Sequence, residues 1–440
     1  MSSAASSATD IPTVCVLGAS YGGHRAVQVL ANSLPHGWRI VVIERNTHCN
    51  HLYVFPRIAV IPGHEHKAFI PYTNIFKTSP TLTTPQTPLA DPSSHVLIHG
   101  HVTAVHPHSV RYISLDQGAS LEERQVRFNY LIYALGSHLP APINIWSEEP
   151  LKNIEEDGQP YVLNAASILQ HGTKPEGLLW LRSAQERVKN SESVLVIGGG
   201  ALGVQFATDI KGFYGEGKEV TLVHSGDRLL PRFDKWMHEQ IIVQLERLGV
   251  KVLLSSRVDL SSKTERTLRT CDGRLISAEL ILLCTGQKPN TSLLSKIAPH
   301  SINPRTGLVT VLRSMQIGYF ERPTPPPIHL SSPYPHIFVI GDAADAFGAL
   351  NAGHTAWTQA EVASRNVISM IESETEDREL PELEHYIAPP PSIKISIGLD
   401  KAIYQSKGNV GFKGPEECPI DLNAGGMWKR RGLGTDDMTI

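Results

Sequence analysis

The sequence predicts an α/β fold containing two Rossmann-like dinucleotide-binding units, and three observations carry that prediction. Two short apolar runs, Thr13–Leu17 and 194–197, each lead into a glycine-rich turn and then a helical pattern. Each unit continues into a second apolar run that ends in a polar residue, at the spacing of a ribose contact. A third apolar run, 336–340, stops at Gly341-Asp342 ahead of another helical pattern.

In the first unit the turn reads Gly18-Ala19-Ser20-Tyr21-Gly22-Gly23. Gly18 permits the sharp turn and Gly23 lets the helix lie close to the strand, so the exposed amides of the helix start form a site for a pyrophosphate. Ser20 takes the middle glycine position of G-x-G-x-x-G, where it still allows close backbone approach and offers a hydroxyl to phosphate. The pattern predicts a helix over 25–34 and a strand over 39–43 ending at Glu44. Glu44 stands 21 residues past Gly23, where a carboxylate accepts hydrogen bonds from an adenosine ribose. The loop 48–57 leaves the carboxyl end of that strand, the end that faces ligand in a doubly wound sheet, and this makes Arg57 a candidate cofactor contact. A Pro, Thr and Ser-rich stretch at 79–94 reads as a loop, 95–105 and 109–115 as strands, and 128–136 as an apolar strand ending in Gly136. The histidine pairs His64/His66, His99/His101 and His106/His108 have the i, i+2 spacing of one strand face. No third ligand accompanies them at a diagnostic spacing, and no metal site is expected.

The second unit carries all three glycines, Gly198, Gly200 and Gly203, before a helical pattern over 204–214. Its next strand, Glu219–Val223, ends at His224 instead of an acid. No carboxylate is there to repel a 2′-phosphate, and Arg228 and Arg232 lie close by in sequence, so NADH and NADPH are both admissible. The runs 250–260 and 275–284 read as strands, the latter leading into Thr285-Gly286-Gln287-Lys288-Pro289-Asn290. A helix is expected over 354–371, a charged linker over 372–384, and a last unit over 392–440 with a basic stretch at 427–431.

A chain of 440 residues exceeds one hydrophobic core, so two or three domains are expected. Net charge is −3, without the basic excess of a phosphate-binding surface, and no nucleic-acid partner is expected. Five widely spaced cysteines form no disulfide framework and point to a reducing, cytoplasmic compartment. No run reaches the length of a membrane span and no signal segment precedes Pro12, so residues 1–11 read as a flexible tail. Any membrane contact would be peripheral.

The two dinucleotide units, the T-G-x-x-P-N segment at 285–290, the late Gly-Asp strand and the string Asn50-His51-Leu52-Tyr53-Val54-Phe55-Pro56-Arg57 resemble the two-dinucleotide-fold flavoprotein reductases. Within them the chain resembles the apoptosis-inducing-factor-like and ferroptosis-suppressor-protein-like branch, fungal type. The resemblance covers the chain from about Pro12 to its end. It implies a discontinuous FAD-binding domain (12–150 and 288–371) into which an NAD(P)-binding domain (151–287) is inserted, followed by a C-terminal α+β interface segment (385–440). By motif, Gly18 to Gly23, Glu44, Arg57, Val102, Gly136, Gly341 and Asp342 would hold FAD. Gly198, Gly200, Gly203, Gln205 and Gly286 would serve the nicotinamide nucleotide. Gln205 replaces a glutamate common at this position and can still hydrogen-bond a carboxamide. The tail Lys429-Arg430-Arg431 is similar to a lysine-bearing end that approaches the flavin in the family, which makes Lys429 the catalytic candidate. The implied activity is hydride transfer from NAD(P)H to flavin and delivery of electrons to a small-molecule acceptor of the quinone type. No C-x-x-C or C-x-x-x-x-C pair offers a dithiol relay. Two other readings stay open: a pathway-specific flavoenzyme acting on a small metabolite, and a flavin redox sensor in signalling.

Overall fold

The computed structural model describes residues 11–77, 89–116, 122–146, 172–320, 330–379 and 381–440. Most of the loop read at 79–94 and of the Pro-rich run after Phe320 lies outside them, as do residues 1–10. Among the described residues the chain forms β1 (Thr13–Leu17), α1 (Tyr21–Ser33), β2 (Arg39–Glu44), β3 (Val96–His106), β4 (Tyr130–Tyr133), β5 (Ser193–Ile197), α2 (Ala201–Tyr214), β6 (Glu219–Val223), β7 (Leu280–Leu283), β8 (Ile337–Val339), α3 (Gly353–Thr375), β9 (Ile393–Ser396), β10 (Ala402–Ser406), β11 (Asn409–Lys413) and α4 (Ala424–Arg430), with shorter segments between them.

These elements gather into two compact units. The first comprises the residues up to Asn46, Thr73–Ser137 and Pro289–Ala388. Its sheet runs β8-β4-β1-β2-β3, all parallel, and is extended past β3 by the antiparallel strands Ser109–Ser114 and Glu123–Arg127. β1 and β4 are buried along their whole length, which is why they read as unbroken apolar runs. Parallel pairing puts the carboxyl ends of β1, β2, β4 and β8 on one edge, so Gly18, Glu44, Gly136 and Gly341 emerge together. α1 packs on α3: a Cβ at Gly22 would lie 3.2 Å from Ala356 Cβ, and Arg25 pairs with Glu361 at 2.6 Å. α3 runs to Thr375 into what the sequence reads as a linker, because Ile371 and Ser373 are still buried on its inner face.

The second unit comprises Thr47–Tyr72, His138–Lys288 and Pro389–Ile440. Its parallel sheet has the order Lys251–Leu253, β6, β5, β7. Two sequence expectations change here. The runs 250–260 and 275–284 are not continuous strands but broken pairs, Lys251–Leu253 with Val258–Asp259 and Leu275–Ser277 with β7. Ser255 turns the first at a left-handed φ of 49°, and the Ala278 N–H donates to Arg266 O (2.9 Å) where the second leaves an antiparallel sheet for the parallel one. The segment Thr47–Tyr72 also departs from the first fold, within which 12–150 was expected to run. Its strands His48–Asn50 and Phe69–Pro71 pair with each other, and Phe55 packs against Phe69 (ring centroids 5.6 Å) and Trp180 (6.5 Å). The C-terminal part joins the same unit as an antiparallel sheet, β9-β10-β11, followed by α4.

Candidate functional site

In the first unit the glycine turn is set by backbone contact. Gly18 has φ +87° and donates its N–H to Ile43 O (2.9 Å), and a Cβ on it would stand 2.6 Å from Ala134 O. A Cβ on Gly23 would stand 1.9 Å from Gly18 O, so only glycine brings α1 this close to β1. Ser20 is the N-cap of α1, and Ala19 and Tyr21 beside it are buried. Glu44, at the end of β2, is pinned against this turn. Its Oε2 accepts the Ala19 N–H (2.7 Å), and its Oε1 accepts N–H groups from the Asn46 backbone (2.9 Å) and side chain (2.8 Å). A helix N-terminus with a carboxylate fixed beside it suits a nucleotide, whose pyrophosphate needs the first and whose ribose needs the second.

The same edge holds the remaining first-unit candidates. Val102 is buried in β3 where the strand's register with its neighbour shifts. Gly136 has φ +61° and open space where a Cβ would be, and Gly341 has φ +74°. Ser137 Oγ donates to Asp342 Oδ2 (3.0 Å), and the Gly341 N–H donates to Gln359 Oε1 (2.7 Å), which joins the ends of β4 and β8 to α3. Asn290 completes the ring: its Nδ2 donates to Leu135 O (2.9 Å) and its N–H to Gly136 O (2.9 Å), and it accepts from the Tyr133 hydroxyl (2.5 Å). Ser137, Gln359 and Tyr133 have no signature in sequence, since their partners are distant along the chain.

The second unit repeats the device. Gly198 has φ +119°, and a Cβ there would sit 2.8 Å from Thr285 Cγ2 and 3.0 Å from Cys284 O. A Cβ on Gly203 would lie 1.8 Å from Gly198 O, whereas one on Gly200, the N-cap of α2, would meet nothing within 4 Å. An open face at a helix N-terminus is able to accept a pyrophosphate. The Gly199 N–H donates to His224 Nδ1 (3.1 Å), and Gly286 follows β7 at φ +91° with open space around it.

Three candidates stand elsewhere. Arg57, read as a cofactor contact, has instead a guanidinium that is 0% exposed and paired with Asp209 of α2 at 2.9 Å. It also donates to the carbonyls of Gly398 (2.7 Å), Leu399 (3.3 Å) and Ile420 (3.4 Å). Gln205 donates from Nε2 to Ser396 Oγ (3.2 Å), tying α2 to β9. Lys429 is exposed on the last turn of α4, a helix anchored by Trp428 Nε1–H to Lys67 O (3.0 Å) and by the Lys67–Asp421 pair (2.7 Å).

None of the five cysteines forms a disulfide. Burial pushes the Cys15 thiol up to about 12 and also raises that of Cys284, which disfavours a thiolate at either.

Residues 12–366 match the family model described as pyridine nucleotide-disulphide oxidoreductase. The chain is 46% identical over 430 residues to Fe-regulated protein 8 of Mycosarcoma maydis, covering 97% of this chain and 96% of that protein. It is 26% identical over 372 residues to ferroptosis suppressor protein 1 of Taeniopygia guttata, covering 81% and 80%. It shares a fold, at TM-score 0.57 and 19% identity, with the water-forming NADH oxidase from Lactobacillus brevis bound to NADH, covering 89% of this chain and 74% of that one. FAD and NAD(P)H are the cofactors this likeness supports, and the chain belongs to the pyridine nucleotide-disulphide oxidoreductase family.

Proposed function

We propose that this NAD(P)H-dependent flavin oxidoreductase delivers its electrons directly to a quinone-type acceptor. The observation that carries the reading is the state of the cysteines: none of the five is in a disulfide, and none lies in a C-x-x-C or C-x-x-x-x-C pair that a dithiol relay needs. Bound FAD supplies hydride acceptance from the nicotinamide and electron delivery to the acceptor. The residues of the first unit orient the flavin nucleotide through Glu44, the Gly18 turn and the Ser137–Asp342 pair. Those of the second orient the nicotinamide nucleotide through the Gly198 turn and the N-terminus of α2. No helix among the described residues is long and apolar enough to cross a membrane. The proposed setting is the cytoplasm, with any contact to a quinone-bearing membrane peripheral.

An anaerobic absorbance titration tests the reading. NADH or NADPH should bleach the flavin band, and a short-chain ubiquinone should restore it. Bleaching without recovery on quinone would sink the acceptor and favour a small-metabolite substrate. Lys429 carries the second expectation, as the group that hands a proton from Nζ to the reduced acceptor. In stopped flow, Lys429→Met should slow reoxidation by quinone about 10²-fold more than it slows reduction by NAD(P)H. Equal effects on the two half-reactions would remove Lys429 from catalysis.

A further inference from the structure

The two units meet one structural demand with different chemistry. In the first, the amide of the second turn residue, Ala19, is held by the Glu44 carboxylate at 2.7 Å. In the second, the amide of Gly199 is held by His224 Nδ1 at 3.1 Å, from a residue at the same distance past the last glycine of its turn. A ring that accepts through Nδ1 carries its proton on Nε2 and is neutral. Burial pushes the imidazole below its ordinary value, against the Arg228 backbone and Asp227, which raise it, while His238 lowers it too. The ring is also fixed in place: a Cβ on Gly199 would lie 2.7 Å from His224 Cγ and 2.5 Å from Leu229 Cδ2. Its turn is anchored at both ends, with the carbonyls of His224 and Gly226 accepting from the Ser256 (2.9 Å) and Ser255 (2.8 Å) amides.

These contacts have a consequence for the nucleotide. A carboxylate at this position accepts from the ribose hydroxyls and repels a 2′-phosphate; a neutral imidazole carries no charge to repel one. The turn that follows presents the exposed Ser225 hydroxyl and Arg228, whose Nη2 donates to Pro231 O and is thereby kept on the turn. Its carboxylate, Asp227, is exposed to solvent. We propose that His224 is the specificity-determining residue for the adenosine 2′ position, and that this unit takes the 2′-phosphorylated nucleotide, NADPH, in preference to NADH. The proposal rests on the second unit being the nicotinamide-nucleotide site, and it concerns an end of the nucleotide remote from the redox chemistry.

That remoteness allows a test that uses no turnover. Isothermal titration of the full, flavin-loaded chain with adenosine 2′,5′-bisphosphate and with AMP, which differ only by the 2′-phosphate, reads the 2′ position alone. The bisphosphate should bind at least about tenfold tighter than AMP. His224→Glu should invert that order, while His224→Gln, whose amide oxygen can still accept from Gly199, should preserve it. AMP binding as tightly as the bisphosphate in the unsubstituted chain would overturn the preference and leave the site standing. His224→Glu weakening both ligands equally would show a purely structural ring and overturn the proposal. Failure of either ligand to bind would overturn the assignment of the nucleotide site together with it.

Discussion

Gly23→Val is expected to purify colourless. A Cβ at that position would lie 1.9 Å from Gly18 O, and neither partner in the overlap is a side chain that could swing away. Overpacking in a core costs about 1–3 kcal/mol when rotamers absorb it. Here relief requires α1 to separate from β1, which withdraws the helix N-terminus and the Ala19 amide from Glu44 together. Gly203→Val makes the corresponding overlap in the second unit, at 1.8 Å from Gly198 O. It should keep its flavin colour yet show at least about a 10²-fold loss in reduction by NAD(P)H, the scale expected when positioning of a reactant fails. Gly217→Ala is the control, since a Cβ there meets nothing within 4 Å. Visible absorbance of the purified variants, followed by anaerobic reduction, reads all three. A yellow Gly23→Val paired with a colourless Gly203→Val would reverse the assignment of the two cofactors to the two units.

These glycines were legible in the sequence because what they do is local. The overlap that excludes a side chain at Gly23 comes from Gly18, within the same turn, and the apolar runs on either side identify themselves by their burial. Glu44 was legible too, because the crossover length from turn to second strand is fixed by the fold. His224 sat at that same spacing, and its hydrogen bond to Gly199 needed only the comparison of the two units. What the sequence could not show is long-range. Arg57 follows β2 at a position that suits a ligand contact, yet its partners are Asp209 and carbonyls of residues 398, 399 and 420. Gln205 likewise bonds Ser396, far along the chain. No periodicity or spacing encodes such pairings. The strands at 250–260 and 275–284 misled for a different reason: apolar runs report burial, and these runs are buried by two different sheets in succession.

Either single replacement at the Arg57–Asp209 pair is expected to be the most destabilising polar change in the second unit, while replacing both together restores most of the loss. Both side chains are 0% exposed, and no hydrogen-bond donor besides Arg57 reaches the Asp209 carboxylate among the described residues. Removing one partner strands an uncompensated charge in the core, which costs about 3–5 kcal/mol. Arg57→Met with Asp209→Leu leaves no charge to desolvate, and such exchanges are often close to neutral. Chemical denaturation followed through Trp180 and Trp428, both buried in this unit, would measure the cycle. Losses that simply add in the double variant would mean that the carbonyl contacts of Arg57, not its ion pair, hold the segment. The pair also fixes a sign for pH. Burial pushes the Asp209 carboxyl up to about 6 from an ordinary 3.8, against the lowering effect of Arg57. A carboxyl raised on folding contributes stability that is fully present below about 3.8 and lost as pH rises through about 6. Relative to the double variant, which cannot titrate there, the unsubstituted chain should therefore gain stability as pH falls from 7 to 4, by a few kcal/mol. The difference between the two denaturation curves isolates this group from the other carboxylates, and a difference that is flat over that interval would show that Arg57 holds Asp209 ionised throughout.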